Sequence, residues 1–254
     1  MRLPRTHALA DPLIVLDSCG STNAELRARA AAGERLGHPA VLLTDAQTAG
    51  RGRLDRTWTT PAGSALAVST LLRDLPADSD AWGWIPLAAG VAMTDAVAAQ
   101  LPGHAVGLKW PNDVLVDGRK ICGILAEVVP QGVIVGSGVN TTMTDAQLPV
   151  PSATSFAALG VAVDADRLLS DYLTRLVMLA GDLARSADAV ASGLHAAAEQ
   201  RCLSLGRDVD VTLPAGETLH GRAVRLQDDG CLVLDVDGDE RAVAAGDVVH
   251  ARLP

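Results

Sequence analysis

Residues 106–139 constrain the fold most, because short apolar segments follow one another there without a helical pattern between them. The predicted strands of this region span residues 106–109, 114–116, 121–129 and 133–139. Asp117-Gly118 and Gln131-Gly132 separate consecutive strands, and such pairs form tight hairpin turns. Hairpin-joined strands pair antiparallel, whereas a Rossmann fold requires helices between its strands. The region therefore predicts an antiparallel or mixed sheet.

The rest of residues 1–204 supplies helices and further strands. Thr22 and Glu25 have the spacing of a capping box, which predicts a helix start. The predicted helices span residues 22–32, 82–101, 168–183 and 187–200, and the additional strands span 13–16, 40–46 and 64–72. We therefore predict an α+β fold, with a mixed, mainly antiparallel sheet and flanking helices.

After about residue 205 the helical patterns end. Residues 209–213 alternate between apolar and polar, and Asp229-Gly230 and Asp237-Gly238 mark tight turns between short strands. This pattern predicts a small β-barrel of the SH3-like kind. We divide the chain into a larger N-terminal domain, 1–204, and a C-terminal barrel domain, 205–254.

Composition argues against several classes of protein. The chain has 30 acidic and 21 basic residues, which disfavours a broad nucleic-acid-binding face. Its longest weakly polar stretch, 81–93, is shorter than the ~18 residues of a membrane helix, and no apolar leader follows Met1. The first predicted strand begins too early to leave room for a helix-turn-helix domain. Four cysteines without a CxxC pair, and six histidines without ligand spacing, disfavour disulfides and zinc and indicate a cytoplasmic protein.

Residues 50–58 combine three arginines with two glycines on a chain of formal net charge −9. Glycine allows a sharp turn and close approach to a ligand, and arginine offers a flat cationic fork to phosphate or carboxylate oxygens. Trp58 ends the stretch. The pattern predicts a flexible loop that closes over an anionic ligand carrying a flat ring.

Both lysine-containing segments have a functional and an ordinary explanation. In residues 109–113 a lysine could neutralise a phosphate, and Asn112 and Asp113 could hold hydrated magnesium, but Pro111-Asn112-Asp113 is also good turn chemistry. Lys120 opens an apolar strand in which Gly123 would allow a ligand to approach. The alternative is a surface lysine beside a hairpin turn.

Two polar segments complete the set. Ser21-Thr22-Asn23 stands at a helix start, where it either caps the helix or offers polar groups to a ligand. Residues 136–140, Gly-Ser-Gly-Val-Asn, are interpreted as a glycine-rich turn at a strand end. Because cations recur on separate segments without a Ser/His/Asp set, the inventory suits phosphoryl or nucleotidyl chemistry.

Taken in order, these segments resemble the biotin–protein ligases over nearly the whole chain. The resemblance is to the short class, without an N-terminal DNA-binding domain. It implies a class II aminoacyl-tRNA synthetase/biotin ligase-like fold, synthesis of biotinyl-5′-AMP from biotin and ATP with Mg²⁺, and transfer of biotin to a lysine. The implied partner is a biotin carboxyl carrier protein or domain of an acetyl-CoA or acyl-CoA carboxylase, and a homodimer is compatible with the family.

The resemblance also assigns residues, several of them to more than one set. The implied biotin-binding residues are Ser21, Thr22, Asn23, Gln47, Arg51, Gly52, Arg53, Lys120 and Gly123. The implied ATP-binding residues are Arg51, Arg56, Trp58, Lys109, Asn112 and Asn140. The implied catalytic residues are Lys109, Asp113, Lys120 and Arg53, with Asp113 also the magnesium ligand.

Asp55 departs from the family, whose members often carry glycine there, and it adds a negative charge between Arg53 and Arg56. A lipoate–protein ligase is the nearest alternative function. A noncatalytic nucleotide-binding adaptor and an RNA-binding protein are the other two. Both lysine segments argue against the adaptor, and scarce aromatic residues argue against RNA.

Overall fold

The computed structural model describes residues 1–53, 56–214, 216–244 and 246–250, and Asp55 lies outside these ranges. A seven-stranded sheet and a two-stranded hairpin organise the first part of the chain. Their strands are β1 (Leu13–Val15), β2 (Ala40–Thr44), β3 (Gly50–Arg51), β4 (Thr57–Trp58), β5 (Ala65–Leu72), β6 (Val106–Lys109), β7 (Asp113–Val116), β8 (Arg119–Val129) and β9 (Gly132–Asn140). The order in the large sheet is β1-β2-β5-β9-β8-β7-β6.

The pairing confirms a mixed, mainly antiparallel sheet. β1 and β2 are parallel, and the other neighbours in the large sheet are antiparallel. Between β7 and β8 the backbone turns at Asp117 (φ 49°) and Gly118 (φ 77°). Two consecutive positive φ values are what the tightest hairpins need, and aspartate followed by glycine tolerates them. This turn brings the end of β7 that contains Asp113 back beside β8.

Within the described ranges, five α-helices flank the strands. They are α1 (Pro4–Leu9), α2 (Thr22–Ala31), α3 (Ile85–Ala98), α4 (Ala165–Ser186) and α5 (Leu194–Arg201). α3 begins later than predicted, because residues 79–84 form a 3₁₀ helix and Pro86 occupies the first turn of α3. α5 also begins later, since Ala187 and Gly193 have left-handed backbones that interrupt a helix. α1 was not predicted.

Alternating side chains along each strand cover both faces of the sheet. Val41 and Leu43 of β2 join the core around α3 and α4, whereas Leu42 joins a smaller core with Leu26 of α2. α3 is buried almost all round, which explains why its sequence shows no polar face. In the part of the chain that the structure describes, no helix is both long and apolar enough to cross a membrane.

The C-terminal part forms a five-stranded antiparallel sheet. Its strands are β10 (Asp208–Thr212), β11 (Thr218–Leu226), β12 (Leu232–Val236), β13 (Asp239–Val243) and β14 (Asp247–His250), in the order β13-β12-β11-β10-β14. Gly230, Asp237 and Gly238 have positive φ values at the predicted tight turns. The small antiparallel β-domain is confirmed, although the pairing of the described residues does not itself close a barrel. The division at residue 204 stays a prediction.

Candidate active site

A cleft opens where the start of α2, the β3–β4 hairpin and the central strands β7, β8 and β9 meet. It gathers side chains from segments that are far apart in sequence. The predicted site residues that line it are Ser21, Thr22, Asn23, Gln47, Arg51, Gly52, Arg53, Arg56, Trp58, Asn112, Asp113, Lys120 and Gly123.

The first turn of α2 forms one polar wall of the cleft. Ser21 is the N-cap, and its hydroxyl accepts a hydrogen bond from the Ala24 amide at 3.5 Å. The Thr22 amide and hydroxyl both donate to Gln47 Oε1, at 2.8 and 3.1 Å. Because Thr22 and Gln47 are buried, this pairing fixes the orientation of the Gln47 amide at the wall.

Asn23 is held from three sides. Its Oδ1 accepts from the Ser69 hydroxyl at 2.6 Å, and its Nδ2 donates to Leu125 O at 3.2 Å and to Glu127 Oε2 at 2.7 Å. Gly136 of β9 makes this arrangement possible, since a Cβ there would lie 2.4 Å from Asn23 Oδ1. Asn23 is thus a rigid polar group, positioned by contacts that the sequence alone did not indicate.

Glu127 forms an anionic centre behind Asn23 and was not predicted as a site residue. It pairs with Arg27 and, at 3.1 Å, with Nη2 of Arg51. Burial acts to raise the pKa of the Glu127 carboxyl, but the hydrogen bonds from Asn23 and Arg27 and the charges of Arg27 and Arg51 outweigh it and lower that pKa. Glu127 is therefore an ionised anchor for Arg51.

The β3–β4 hairpin lays Trp58 against the sheet. Gly50 and Arg51 pair with Trp58 and Thr57, and the Gly52 amide donates to Arg56 O at 2.6 Å. A Cβ at Gly138 would lie 2.9 Å from Cζ2 of Trp58, so the indole rests on bare backbone. The predicted turn at residues 136–140 is wrong, because these residues lie within the long strand β9. Their glycines make space for side chains instead of turning the chain.

Asp113 holds both lysines of the predicted site. Lys120 Nζ lies 2.6 Å from Asp113 Oδ1, and Lys109 Nζ lies 3.2 Å from Oδ2. The Asp113 side chain is 12% exposed and that of Lys120 45%, so the lysine head reaches towards solvent from a buried carboxylate. One carboxylate shared by two ammonium groups leaves an excess positive charge at this end of the cleft.

The donor set at Asp113 does not fit a resident magnesium ion. Both carboxylate oxygens are already paired with ammonium groups. Within the described ranges, no three acidic, histidine or cysteine side chains are grouped so as to hold a metal. Magnesium held by proteins takes several oxygen ligands, often including those of a bound phosphate. The predicted metal role of Asp113 is therefore not favoured by this arrangement.

Arg53 enters the cleft as a half-buried cation. Its Nη1 donates to Asn112 Oδ1 at 3.0 Å, and Asn112 Nδ2 in turn donates to Ile124 O at 2.6 Å. Burial lowers the pKa of the Arg53 guanidinium, with Asp113 opposing the fall and Arg56 adding to it. The group stays charged at neutral pH. A half-buried cation whose hydrogen-bond partner is a neutral amide favours an incoming anion.

Asp247 of β14 also lines the cleft and forms an ion pair with Arg56. No local motif surrounds Asp247 in the sequence, so nothing there indicated a site residue. Each arginine of residues 50–58 thus has its own anchor, on a different part of the fold.

Lys109 and Asn140 are the predicted residues that do not line the cleft. Lys109 lies behind Asp113, where Nζ also donates to Val248 O at 3.1 Å. Asn140 is buried, and its Nδ2 donates to Thr154 O at 2.9 Å. Their predicted contacts with ATP stay predictions.

The cleft has two chemically distinct ends. At one end Asn23 lies over Gly136, in a wall of fixed hydrogen-bonding groups that also contains Thr22 and Gln47. At the other end Lys120 and the half-buried indole of Trp58 lie over the paired residues Gly123 and Gly138, and Arg53 adds a second cation to the lining. This arrangement can hold a neutral polar ring at one end and neutralise phosphate or carboxylate oxygens at the other.

Comparison with known families and proteins identifies what the chain is similar to. Residues 30–140 match the biotin/lipoate A/B protein ligase family, and residues 204–251 match the biotin protein ligase C-terminal domain. The chain is 42% identical over 247 residues to the biotin–[acetyl-CoA-carboxylase] ligase of Mycobacterium tuberculosis, covering 94% of this chain and 89% of the relative. It is 32% identical to the enzyme of that name from Paracoccus denitrificans, covering 90% and 96%.

Solved structures share the fold. The Aquifex aeolicus biotin protein ligase in complex with biotin and ATP superposes with a TM-score of 0.77 at 24% identity, covering 95% of this chain and 99% of the other. The Leishmania major biotin protein ligase in complex with biotinyl-5-AMP gives a TM-score of 0.59 at 26% identity, covering 92% and 98%. With two family models matched and a relative of 42% identity over 94% of this chain and 89% of that relative, this chain belongs to the biotin protein ligase family.

Proposed function

We propose that the protein is an ATP-dependent biotin–protein ligase that works in two steps at this cleft. In the first, a biotin carboxylate oxygen attacks the α-phosphorus of ATP, the bond to pyrophosphate breaks, and biotinyl-5′-AMP forms. In the second, a lysine amine of the acceptor attacks the acyl carbon, the mixed anhydride bond breaks, and AMP leaves. The observation that carries the proposal is that the fixed polar wall and the cationic end occupy one cleft.

The wall at α2 supports biotin binding. Thr22, Asn23 and Gln47 are buried and fixed by hydrogen bonds, so they offer donors and acceptors of defined direction to the ring of biotin. Pre-positioned polar groups in a buried wall give specificity, because a ligand without matching atoms leaves them unpaired.

Arg53 and Lys120 supply the charge for the first step. Two anions, a carboxylate and a triphosphate, must meet, and their repulsion falls when both lie beside fixed cations. Lys120 is suited to contact both the biotin carboxylate and the α-phosphate, because its partly exposed ammonium extends from Asp113 into the cleft. Arg53 presents a flat guanidinium fork that can donate two hydrogen bonds to the oxygens of one anion. Trp58 offers an aromatic face for adenine, and the hairpin that carries it covers the site from water.

ATP enters as its magnesium complex, with the metal bound mainly by phosphate oxygens and water. This assignment is consistent with the pairing of Asp113, whose two oxygens orient Lys109 and Lys120. The carboxylate then acts by keeping two cations in place, and no protein-held metal is required for that arrangement.

We propose that the acceptor is a lysine on a biotin-carrying carboxylase subunit, since the names of two relatives give acetyl-CoA carboxylase as the protein on which those ligases act. We propose a biotin carboxyl carrier domain as the specific partner. The open side of the cleft, where Lys120 is exposed, is the side from which an acceptor amine can approach.

Biotin transfer to a purified carrier domain tests the function. The protein is incubated with ATP, magnesium, biotin and the carrier domain, and the carrier's mass and the release of pyrophosphate are followed. One biotin added at a single carrier lysine, dependent on ATP, is expected. If the protein released pyrophosphate no faster than a protein-free control, the proposal would be refuted.

A parallel incubation with lipoate separates the two substrates of the matched family, which includes biotin and lipoate ligases. Biotin is favoured because residues 204–251 match a domain described for biotin protein ligases. Transfer of lipoate to a lipoyl domain, without transfer of biotin, would reverse the assignment.

A further inference from the structure

The C-terminal sheet is fixed to the catalytic domain by two buried indoles. Trp84 Nε1 donates to Asp228 O at 2.7 Å, and Trp110 Nε1 donates to Gly230 O at 3.0 Å. Both tryptophans are 1% exposed, so these bonds are shielded from water. The two carbonyls belong to the turn between β11 and β12. This contact sets where the other strands of the C-terminal sheet lie relative to the cleft.

From this fixed position β14 reaches the site at two adjacent residues. Val248 O accepts from Lys109 Nζ at 3.1 Å, and Asp247 forms its ion pair with Arg56. The Asp247 side chain is 27% exposed and that of Arg56 64%, so the carboxylate is the more firmly embedded partner. Arg56 in turn accepts from the Gly52 amide through its carbonyl. Asp247 is therefore linked, through Arg56, to the hairpin that carries Arg53 and Trp58.

We propose that Asp247 is a positioning residue that holds the β3–β4 hairpin over the cleft, so that the C-terminal domain controls how long biotinyl-5′-AMP is retained. The inference rests on the proposed function. An exposed ion pair contributes up to about 1 kcal/mol, which corresponds to roughly a fivefold change in an equilibrium. Neutralising Asp247 should raise the ratio of released to formed adenylate up to about fivefold.

The test compares Asp247→Asn with Glu240→Gln. Glu240 forms its ion pair with Arg225, at 2.7 Å on the same sheet, and not with the arginines of the hairpin. Released adenylate is measured as labelling of a lysine-rich bystander protein, divided by pyrophosphate formed. D247N should raise this ratio and E240Q should not. The charge exchange, Arg56→Asp with Asp247→Arg, should bring the ratio back towards the wild-type value.

A second measurement does not need activity. Trypsin cleaves after arginine, so cleavage within residues 51–57 of the ligand-free protein reports how firmly the hairpin is held. D247N should be cleaved there faster than wild type and E240Q, while the melting temperatures of the two variants should stay within a few degrees of wild type. Equal cleavage in all three would overturn the inference, as would an unchanged release ratio. If wild type formed no adenylate, the proposed function would fail, while the cleavage assay would still decide the role of Asp247.

The lysine content supports a second, independent inference. Lysine occurs at only two positions of the 254-residue chain, Lys109 and Lys120, and every other basic side chain except histidine is arginine. Both lysine amines are paired with Asp113. Arginine stays protonated and does not act as an acceptor for an acyl group at neutral pH. The surface thus presents no free lysine to a reactive acyl-adenylate.

We infer that the chain resists acylation by its own intermediate, again on the premise of the proposed function. An acyl-adenylate that escapes meets amines on other proteins, where a new amide bond forms and AMP leaves. Without acceptor, peptide mapping should therefore show no biotin on either lysine.

Arg35→Lys provides the matched variant, since Arg35 is exposed and the change keeps the positive charge. R35K is incubated with ATP, biotin and a bystander protein, whose labelling shows that adenylate has been released. Under these conditions R35K should acquire biotin at position 35. Biotin on Lys109 or Lys120 of wild type would overturn the inference, and so would an unlabelled position 35 beside a labelled bystander. An unlabelled bystander, with no pyrophosphate formed, would instead count against the proposed function.

Discussion

Gly123→Ala separates the catalytic position of Lys120 from the stability of the fold. Gly123 lies in β8 and pairs with Asp113 on one side and Gly138 on the other. A Cβ at this position would lie 2.9 Å from Lys120 Nζ and 3.0 Å from its Cε, whereas Asp113 Oδ1 would be 3.7 Å away. The added methyl group therefore meets the flexible end of one lysine first, and the next nearest atom lies at an ordinary van der Waals distance.

The expected change in stability is small because two effects oppose each other. The backbone at Gly123 is not in the left-handed region, so alanine fits there. Alanine should raise the free energy of unfolding by about 0.4–1 kcal/mol, because it reduces the conformational entropy of the unfolded chain. Moving the half-exposed Lys120 away from Asp113 should cost up to about 1 kcal/mol. For a chain of this size such differences correspond to a few degrees in melting temperature at most, at about 2–4 °C per kcal/mol.

The expected change in activity is large. Displacing a catalytic group by about 1 Å can cost on the order of 100-fold in rate. We expect G123A to form adenylate about 10- to 100-fold more slowly, measured as pyrophosphate release at saturating biotin and ATP. Gly181→Ala is the control. Gly181 lies in α4, no residue of which is among those that line the cleft, and a Cβ there meets Arg185 Nη1 at 3.4 Å. G181A should gain about 0.5–1 kcal/mol in stability and keep full activity.

Wild-type rates of adenylate formation in G123A would show that the position of Lys120 against Asp113 does not matter for the chemistry. A fall in melting temperature of the order of 10 °C would show that the methyl group strains the sheet itself. Either result would refute the steric reasoning, and the two can be told apart because rate and melting temperature are measured on one preparation.

Three further changes test other parts of the site. Lys120→Met removes the ammonium but keeps an unbranched side chain only one atom shorter, so pyrophosphate release should fall at least about 10-fold; a normal rate would contradict its contact with the anions. Arg53→Gly should let adenylate escape, raising bystander labelling relative to pyrophosphate, and unchanged specificity would argue against retention by Arg53. Glu127→Gln should lower the melting temperature at neutral pH. Because the folded pKa of Glu127 is lowered, the stability it contributes is present above the ordinary carboxyl pKa and is lost as pH falls below it. The difference between E127Q and wild type should therefore shrink in acid, and a difference independent of pH would contradict the ionised anchor.

Local signals explain which parts of the fold were predictable. The Asp117-Gly118 turn defines the β7–β8 hairpin because positive φ values are needed at two adjacent residues there. Boundaries were less predictable where a single left-handed residue decides them, as at Gly193 before α5. Strands of two residues, such as β3 and β4, are too short for any alternation to show.

The contacts of the candidate site also divide into those that local sequence predicts and those that it does not. Asp113 and Lys120 meet because a tight hairpin joins their strands, so their proximity follows from nearby sequence. Asn23 and Glu127 meet only because α2 packs across the sheet, and their hydrogen bond depends on a missing side chain at Gly136. The pair of Arg56 and Asp247 needs the C-terminal sheet in place. Sequence patterns predict contacts between residues of one element or of two strands joined by a short turn. The pairs Asn23–Glu127 and Arg56–Asp247 depend on how distant elements pack together, so local patterns do not predict them.

The carboxylates show why the net charge of the chain said little about the cleft. A formal charge of −9 argues against a polyanion partner, yet the cleft is built to receive anions. Asp113, Glu127 and Asp247 do not cancel that preference, because each holds cations whose heads still reach the cleft or its rim. An arginine or lysine without such a partner would lose more side-chain freedom when a ligand binds. Acidic residues beside an anion site can thus favour the anion, by fixing in advance the cations that bind it.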